Sequence, residues 1–160
     1  MNTLLDRIGQ TALSQFMQNQ VWTISTIQSV HIMALAVVFT SAAAVDLRLL
    51  GVMGRGQTLG RMTSRFLPAV GWGVAVLLVT GLLLMVAEPK RAILNPYFQL
   101  KMAALVIVGA VTWALGLSVA KHPERWMQPE RRASAKLVAV GSLCLWVLIM
   151  VAGRWIAYGP

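Results

Sequence analysis

His31 is the residue in this chain most able to do chemistry, because it places an ionisable imidazole inside a long apolar stretch. The polar residues of that stretch precede it, and residues 32–45 are almost pure hydrocarbon, interrupted only by Thr40 and Ser41. An ionisable side chain at such depth in a membrane is costly and usually functional. Since a neutral imidazole in dry surroundings is a suitable axial ligand for haem iron, we expect His31 to bind a haem or another metal.

Lys101 and Arg91 are the cations expected to lie nearest to His31. At about 1.5 Å per residue, His31 lies about 13 Å inward from Trp22, and Lys101 lies about 8 Å inward from Pro96, on the same side. A cation at that depth would pair with a haem propionate, with Arg91 nearer the surface. The alternative is that His31 hydrogen-bonds to a neighbouring helix while Lys101 extends its amine to the interface.

Four apolar spans must position these groups. The 160 residues are 58% hydrophobic and 12% charged, with a mean hydropathy of +0.70, which excludes an ordinary soluble domain. A helix that crosses the hydrocarbon core takes about 20 residues, and the windows 21–45, 67–87, 98–119 and 137–158 are long and apolar enough. The sequence therefore predicts an all-α membrane protein, with residues 1–160 forming a single domain around a four-helix bundle.

The residues that flank the spans also carry structural signals. Residues 1–20 have apolar side chains at helical spacing, which predicts an amphipathic helix on the outer surface. Such a helix would either cover the mouth of the bundle or contact a partner subunit. Pro68 and Pro96 are expected near the starts of their spans, with Asn95 as the cap of the third.

The basic residues indicate how the chain is oriented. The formal net charge is +9, and most Lys and Arg residues lie in the loop after the first span and in the loop after the third. The positive-inside rule places both loops in the cytoplasm, and in a bacterial inner membrane both termini are then periplasmic. We expect these loops to contact anionic lipid and not nucleic acid, and His122 to be a solvated residue of the second loop.

Asp46 marks the cytoplasmic end of the first span, in the segment Asp46-Leu47-Arg48-Leu49-Leu50-Gly51. We expect its carboxylate to pair with Arg48, with Arg65 or with the end of the third span, and so to fix the loop. Local charge pairing is favoured here over a role in proton transfer.

Four short features together resemble a known pattern. They are His31 in Ser29-Val30-His31, the segment 46–51, Gly81 in the span led by Pro68, and Lys101 near the start of the next span. This pattern resembles the HemJ-type protoporphyrinogen oxidases and the copper-resistance-D-like membrane domains. It is still more similar to an uncharacterised bacterial family of small four-helix membrane proteins.

The resemblance implies a helical bundle that binds haem b through His31, with Lys101 at the position of a characteristic lysine. The chain lacks the aromatic, arginine-bearing segment that follows the histidine in the HemJ-type family. Haem binding is therefore favoured over porphyrinogen oxidation.

Three hypotheses follow. The leading one is a haem b protein that transfers electrons between a membrane quinone and a partner protein, with His31 as axial ligand and Lys101 and Arg91 near the propionates. The second is copper handling by His31 together with methionines, and the third is a cofactor-free assembly or anchoring subunit. The second axial ligand, self-association and membership of a larger complex stay open.

Overall fold

The computed structural model describes residues 2–54, 56–128 and 132–156, and its regular secondary structure in these ranges is helical. Four helices are each long and apolar enough to cross a membrane. They are α3 (Val21–Leu49), α4 (Leu59–Ala87), α6 (Pro96–Lys121) and α7 (Arg132–Trp155). The predicted fold class, an all-α bundle of four membrane-spanning helices, is confirmed.

The four long helices alternate in direction around a common core. α3 packs most extensively on α4, and α6 on α7, while the pairs α3–α7 and α4–α6 close the bundle. α3 and α6 are therefore diagonal neighbours. We call the end where α3 and α6 begin the terminal end, and the end where they finish the loop end. Between the two ends lies an apolar core that includes Val38, Val108, Trp146 and Ile149.

Close contact between α3 and α4 sets their register. A Cβ on Gly73 would lie only 2.4 Å from Cγ2 of Val38, so any larger residue would push the two helices apart. His31 precedes Val38 by seven residues, and Thr80 follows Gly73 by seven. Because seven residues make about two helical turns, this antiparallel register brings His31 opposite Thr80.

The amino-terminal segment is not one amphipathic helix but two short ones, α1 (Asn2–Gly9) and α2 (Ala12–Asn19). Thr11 separates them, because its hydroxyl donates to the Ile8 carbonyl oxygen at 2.8 Å and accepts from the amide of Ser14 at 3.3 Å. Side-chain bonds of this kind compete with a continuous helix.

α1 and α2 dock at the terminal end, where α4 turns into the short helix α5 (Pro89–Ile93). The side-chain amide of Gln18 donates to the Ala87 carbonyl oxygen at 2.8 Å, and Lys90 forms an ion pair with Asp6. The segment therefore covers the α4–α5 corner, and the choice between a cover for the mouth of the bundle and a contact with a partner subunit stays a prediction.

The two span-starting prolines behave differently. Pro96 is the first residue of α6, and Oδ1 of Asn95 accepts from the amide of Tyr97 at 2.9 Å, which confirms the expected cap. Pro68 lies inside α4, so the expectation that it marks a helix start was wrong. The helix begins earlier because Thr58 caps it through the amide of Arg61, adding polar turns ahead of the apolar run.

Beyond α6, a short 3-10 helix (Pro123–Met127) leads toward α7. His122 caps the end of α6 and is exposed, as expected for a residue of the second loop. It lies at the loop end and His31 in the terminal half, so the two histidines do not share a site. The predicted position of Tyr158 at the end of the fourth span lies outside the described residues.

Candidate functional site around His31

His31 forms one well-defined hydrogen bond, across the α3–α4 contact. Its Nδ1 atom lies 2.7 Å from the hydroxyl oxygen of Thr80. The same hydroxyl lies 2.7 Å from the carbonyl oxygen of Val76, one turn earlier in α4, and donates to it. Thr80 is itself buried, so this short chain of bonds runs inside the bundle.

The direction of these bonds assigns the histidine tautomer. A hydroxyl has a single proton to donate, and the bond to the Val76 carbonyl uses it. The Thr80 oxygen must then accept from His31, so we assign the ring proton to Nδ1. This leaves a lone pair on Nε2, and among the described residues Nε2 has no hydrogen-bond partner.

Gly81 lies next to Thr80 and borders the same imidazole. A Cβ at this glycine would lie 3.5 Å from Cε1 of His31, the carbon between the two ring nitrogens. That is ordinary van der Waals contact, so an alanine would fit, whereas a branched residue would cover the ring edge. Gly81 therefore borders the ring edge at the carbon bonded to Nε2.

Lys101 approaches the same region from the diagonal helix α6. The Lys101 side chain passes over Gly153 of α7, and a Cβ at that glycine would lie 3.4 Å from Nζ of Lys101. The charge of Lys101 acts electrostatically on the His31 ring. No ion pair or hydrogen bond of its ammonium to another described residue is found. Among the described residues, the terminal half thus combines an imidazole nitrogen without a hydrogen-bond partner with a cation without an acidic partner.

Arg91, the other cation expected near the site, and its neighbour Lys90 have different surroundings. Lys90 is engaged by Asp6, and the side chain of Arg91 lies outside the described part of the chain. An open cleft of about 610 Å³ lies where α1 and α2 meet the α4–α5 corner, and Leu5, Gln18 and Glu88 are among its lining residues. His31 does not line it.

Asp46 does not form the ion pairs expected from the sequence. Arg48 donates from Nε to the Gln57 carbonyl oxygen at 3.1 Å, and the guanidinium of Arg65 lies over the ring of Phe66. Side chains two residues apart in a helix point to different faces, so Arg48 does not pair with Asp46. Asp46 instead hydrogen-bonds with Ser142 of α7.

Thr80 is the functional residue that the sequence reasoning missed. Its type is unremarkable in an apolar span, and only the Gly73–Val38 contact shows that it faces His31. Within the described residues there is no group of three or more His, Cys, Asp or Glu side chains able to hold a metal ion.

Comparison with known proteins places the chain in one family. No curated protein matches it, and no solved structure does. The family of unknown function DUF6644 matches residues 9–159, which is nearly the whole length. The chain is thus a member of the DUF6644 family, and it is a multi-pass membrane protein built on a four-helix bundle.

Proposed function

We propose that this protein binds haem b in the terminal half of the bundle, with His31 as axial ligand, and exchanges electrons with a quinone or a partner protein. The observation that carries the proposal is the bond from Nδ1 of His31 to Thr80, which leaves Nε2 with its lone pair. Histidines that ligate metals almost always donate their other ring N–H in this way. Bound haem would supply one-electron redox chemistry, which the side chains cannot.

Thr80 has a defined part in this arrangement. By accepting from Nδ1 it fixes the rotation of the imidazole, holds the tautomer in which Nε2 is unprotonated, and makes the ring a better donor to iron. Its own proton is committed to the Val76 carbonyl, so it cannot reverse the bond. Thr80 is therefore a positioning residue for His31.

Lys101 supplies the matching charge. An ammonium in the apolar part of a membrane protein is costly without a counter-ion, and this one has no acidic partner among the described residues. A propionate carboxylate would neutralise it. The participation of Arg91, nearer the membrane surface, stays a prediction.

The surroundings of His31 indicate how a flat group would be held. The ring is half-buried, and it lines neither the cavity beside Asp46 nor the cleft at the α4–α5 corner. A group bound to this partly exposed ring would therefore be reachable from the surrounding lipid. Such a position suits exchange with a quinone dissolved in the bilayer.

A reduced-minus-oxidised absorption spectrum of the protein purified in detergent tests this proposal. We expect a Soret and an α band from haem b in the wild type, and their loss in His31→Ala. The matched control is His122→Ala, which removes the exposed histidine at the loop end and should leave the bands unchanged. Bands that persist in His31→Ala, or a wild type without haem, would overturn the proposal.

Two further measurements on the same samples separate the other hypotheses. Metal analysis that finds copper without porphyrin would support copper handling. Purification without any cofactor, in a stable complex with other subunits, would support an assembly or anchoring role, and His31→Ala would then change only stability.

A further inference from the structure

Asp46 is a buried carboxyl group near the loop end that the proposed haem site does not use. It is 2% exposed, and its Oδ2 atom has no hydrogen-bond partner among the described residues. Removing an ionised carboxylate from water without compensation is very costly. Since Arg48 and Arg65 are engaged elsewhere, no side-chain cation in the described part of the chain neutralises it, and either a proton or a bound cation must compensate the charge.

The Asp46 side chain borders a small cavity between all four long helices. The cavity measures about 20 Å³, room for about one water molecule. Each long helix contributes a hydroxyl-bearing side chain to its wall, namely Ser41, Thr63, Thr112 and Ser142. The hydroxyl oxygen of Thr63 is buried and, like Oδ2 of Asp46, lacks a partner in the described residues. Two buried oxygens with unused lone pairs thus adjoin one water-sized space.

We propose that this cavity binds a single monovalent cation, Na⁺, with Asp46, Thr63 and Ser142 as its protein ligands. Carboxylate and hydroxyl oxygens suit hard cations, and one carboxylate balances one positive charge. Ca²⁺ takes about six to eight oxygen ligands, and Mg²⁺ demands nearly ideal octahedral geometry, for which this donor set is too small. A water-sized cavity also favours Na⁺ over the larger K⁺.

The cation site rests on different residues from the haem site and does not depend on it. Asp46 follows His31 by fifteen residues in the same helix, which corresponds to about 22 Å. Failure of one proposal therefore leaves the other standing, and variants at one site should not change ligand binding at the other.

Thermal unfolding of the full-length protein in detergent tests the site. At equal ionic strength, NaCl should raise the midpoint saturably compared with choline chloride, by about 3–6 °C at ten times the dissociation constant. KCl should have a smaller effect. Asp46→Asn should abolish the shift, whereas Asp6→Asn, which removes the carboxylate paired with Lys90 at the terminal end, should retain it.

Thr63→Val keeps the test decisive if Asp46→Asn does not fold. It removes one oxygen while preserving the side-chain shape, so the Na⁺ concentration for half of the shift should rise several-fold. Binding of ²²Na⁺ to the wild type should reach one ion per chain. Equal midpoints in all three salts would mean that the cavity holds water or that the carboxyl group is neutral, and would overturn the proposal, as would an unchanged shift in Asp46→Asn.

Discussion

The terminal half of the bundle contains a histidine and a lysine, whereas the loop end contains an aspartate among hydroxyl groups. Both sets lie within helices that are otherwise apolar. At the terminal end, the Thr80 bond leaves a nitrogen lone pair on His31, and the charge of Lys101 acts on the same ring. At the loop end, oxygens of Asp46 and Thr63 without partners in the described residues adjoin a water-sized cavity.

Each end therefore has groups suited to a ligand of its own chemistry. The lone pair of His31 and the charge of Lys101 suit haem, whose iron needs a ligand and whose propionates are negative. The carboxylate of Asp46 and the hydroxyl oxygens around it suit a small cation. Each set also takes side chains from more than one helix, so neither can form before the bundle does. We therefore expect the two ends to share the fold but to respond separately to substitution.

The largest effect is expected where the two ends share their framework, at the contact between α3 and α4. Gly73→Ala would place a methyl group 2.4 Å from Cγ2 of Val38, and overpacking of this kind costs about 1–3 kcal/mol. We expect a lower unfolding midpoint, together with weaker haem binding and a weaker Na⁺ response. Gly71→Ala is the matched control, because a Cβ there meets nothing within 4 Å. Equal midpoints for the two variants would contradict the register described here.

Substitution of Thr80 by valine should separate the two ends. It removes the acceptor for Nδ1 of His31, and loss of such a supporting bond typically lowers metal affinity about 10- to 100-fold. Haem titration of the purified protein should show this loss, while the Na⁺ shift remains. Thr40→Val, at an exposed position on α3, serves as the control. Unchanged haem affinity in Thr80→Val would show that the bond does not position the ligand.

Lys101→Gln is expected to have a smaller effect on the same ligand. Loss of one partly solvent-exposed ion pair with a propionate should weaken haem binding by about 1 kcal/mol, or about five-fold. The band positions should persist because the axial ligand is intact. Lys121→Gln, at the exposed end of the same helix, should leave haem affinity unchanged. If the two variants bind haem with equal affinity, Lys101 does not pair with a propionate, and its amine only extends to the membrane interface.

The smallest effect is expected in the docked amino-terminal segment. Gln18→Ala removes a hydrogen bond to the Ala87 carbonyl, which is worth about 0.5–1.5 kcal/mol. Hydrogen exchange of α2 should become faster, with little change in the rest of the bundle. Exchange that stays equally slow would mean that Met17, which is 2% exposed, and its apolar neighbours hold the segment in place alone.

Much of the fold could be predicted from the sequence, because membrane crossing imposes length and polarity directly. The four spans, the cap at Asn95 and the exposed His122 all follow from local pattern. Pro68 led to a wrong helix start, because the apolar run in α4 begins later than the helix itself. The Thr58 cap and the polar first turns that follow it give no hydropathy signal. The break at Thr11 likewise depends on hydrogen bonds of a single side chain.

The candidate sites were less predictable, because they depend on pairing between helices. His31 and Lys101 can be recognised as ionisable residues in apolar spans, but the role of Thr80 depends on the register between α3 and α4. Asp46 was noticed for its charge, and sequence proximity suggested Arg48, which helical geometry turns away. The partner that it does have, Ser142, lies 96 residues later in the sequence and could not be found by local spacing.

If the imidazole of His31 is the ligand that binds iron, free imidazole should replace it in a variant that lacks the side chain, and chemical rescue measures this. Purified His31→Gly, given haem, should lack the wild-type Soret and α bands and should regain them when free imidazole is added. The same addition should leave the wild type unchanged. Wild-type bands in His31→Gly without imidazole would contradict the account.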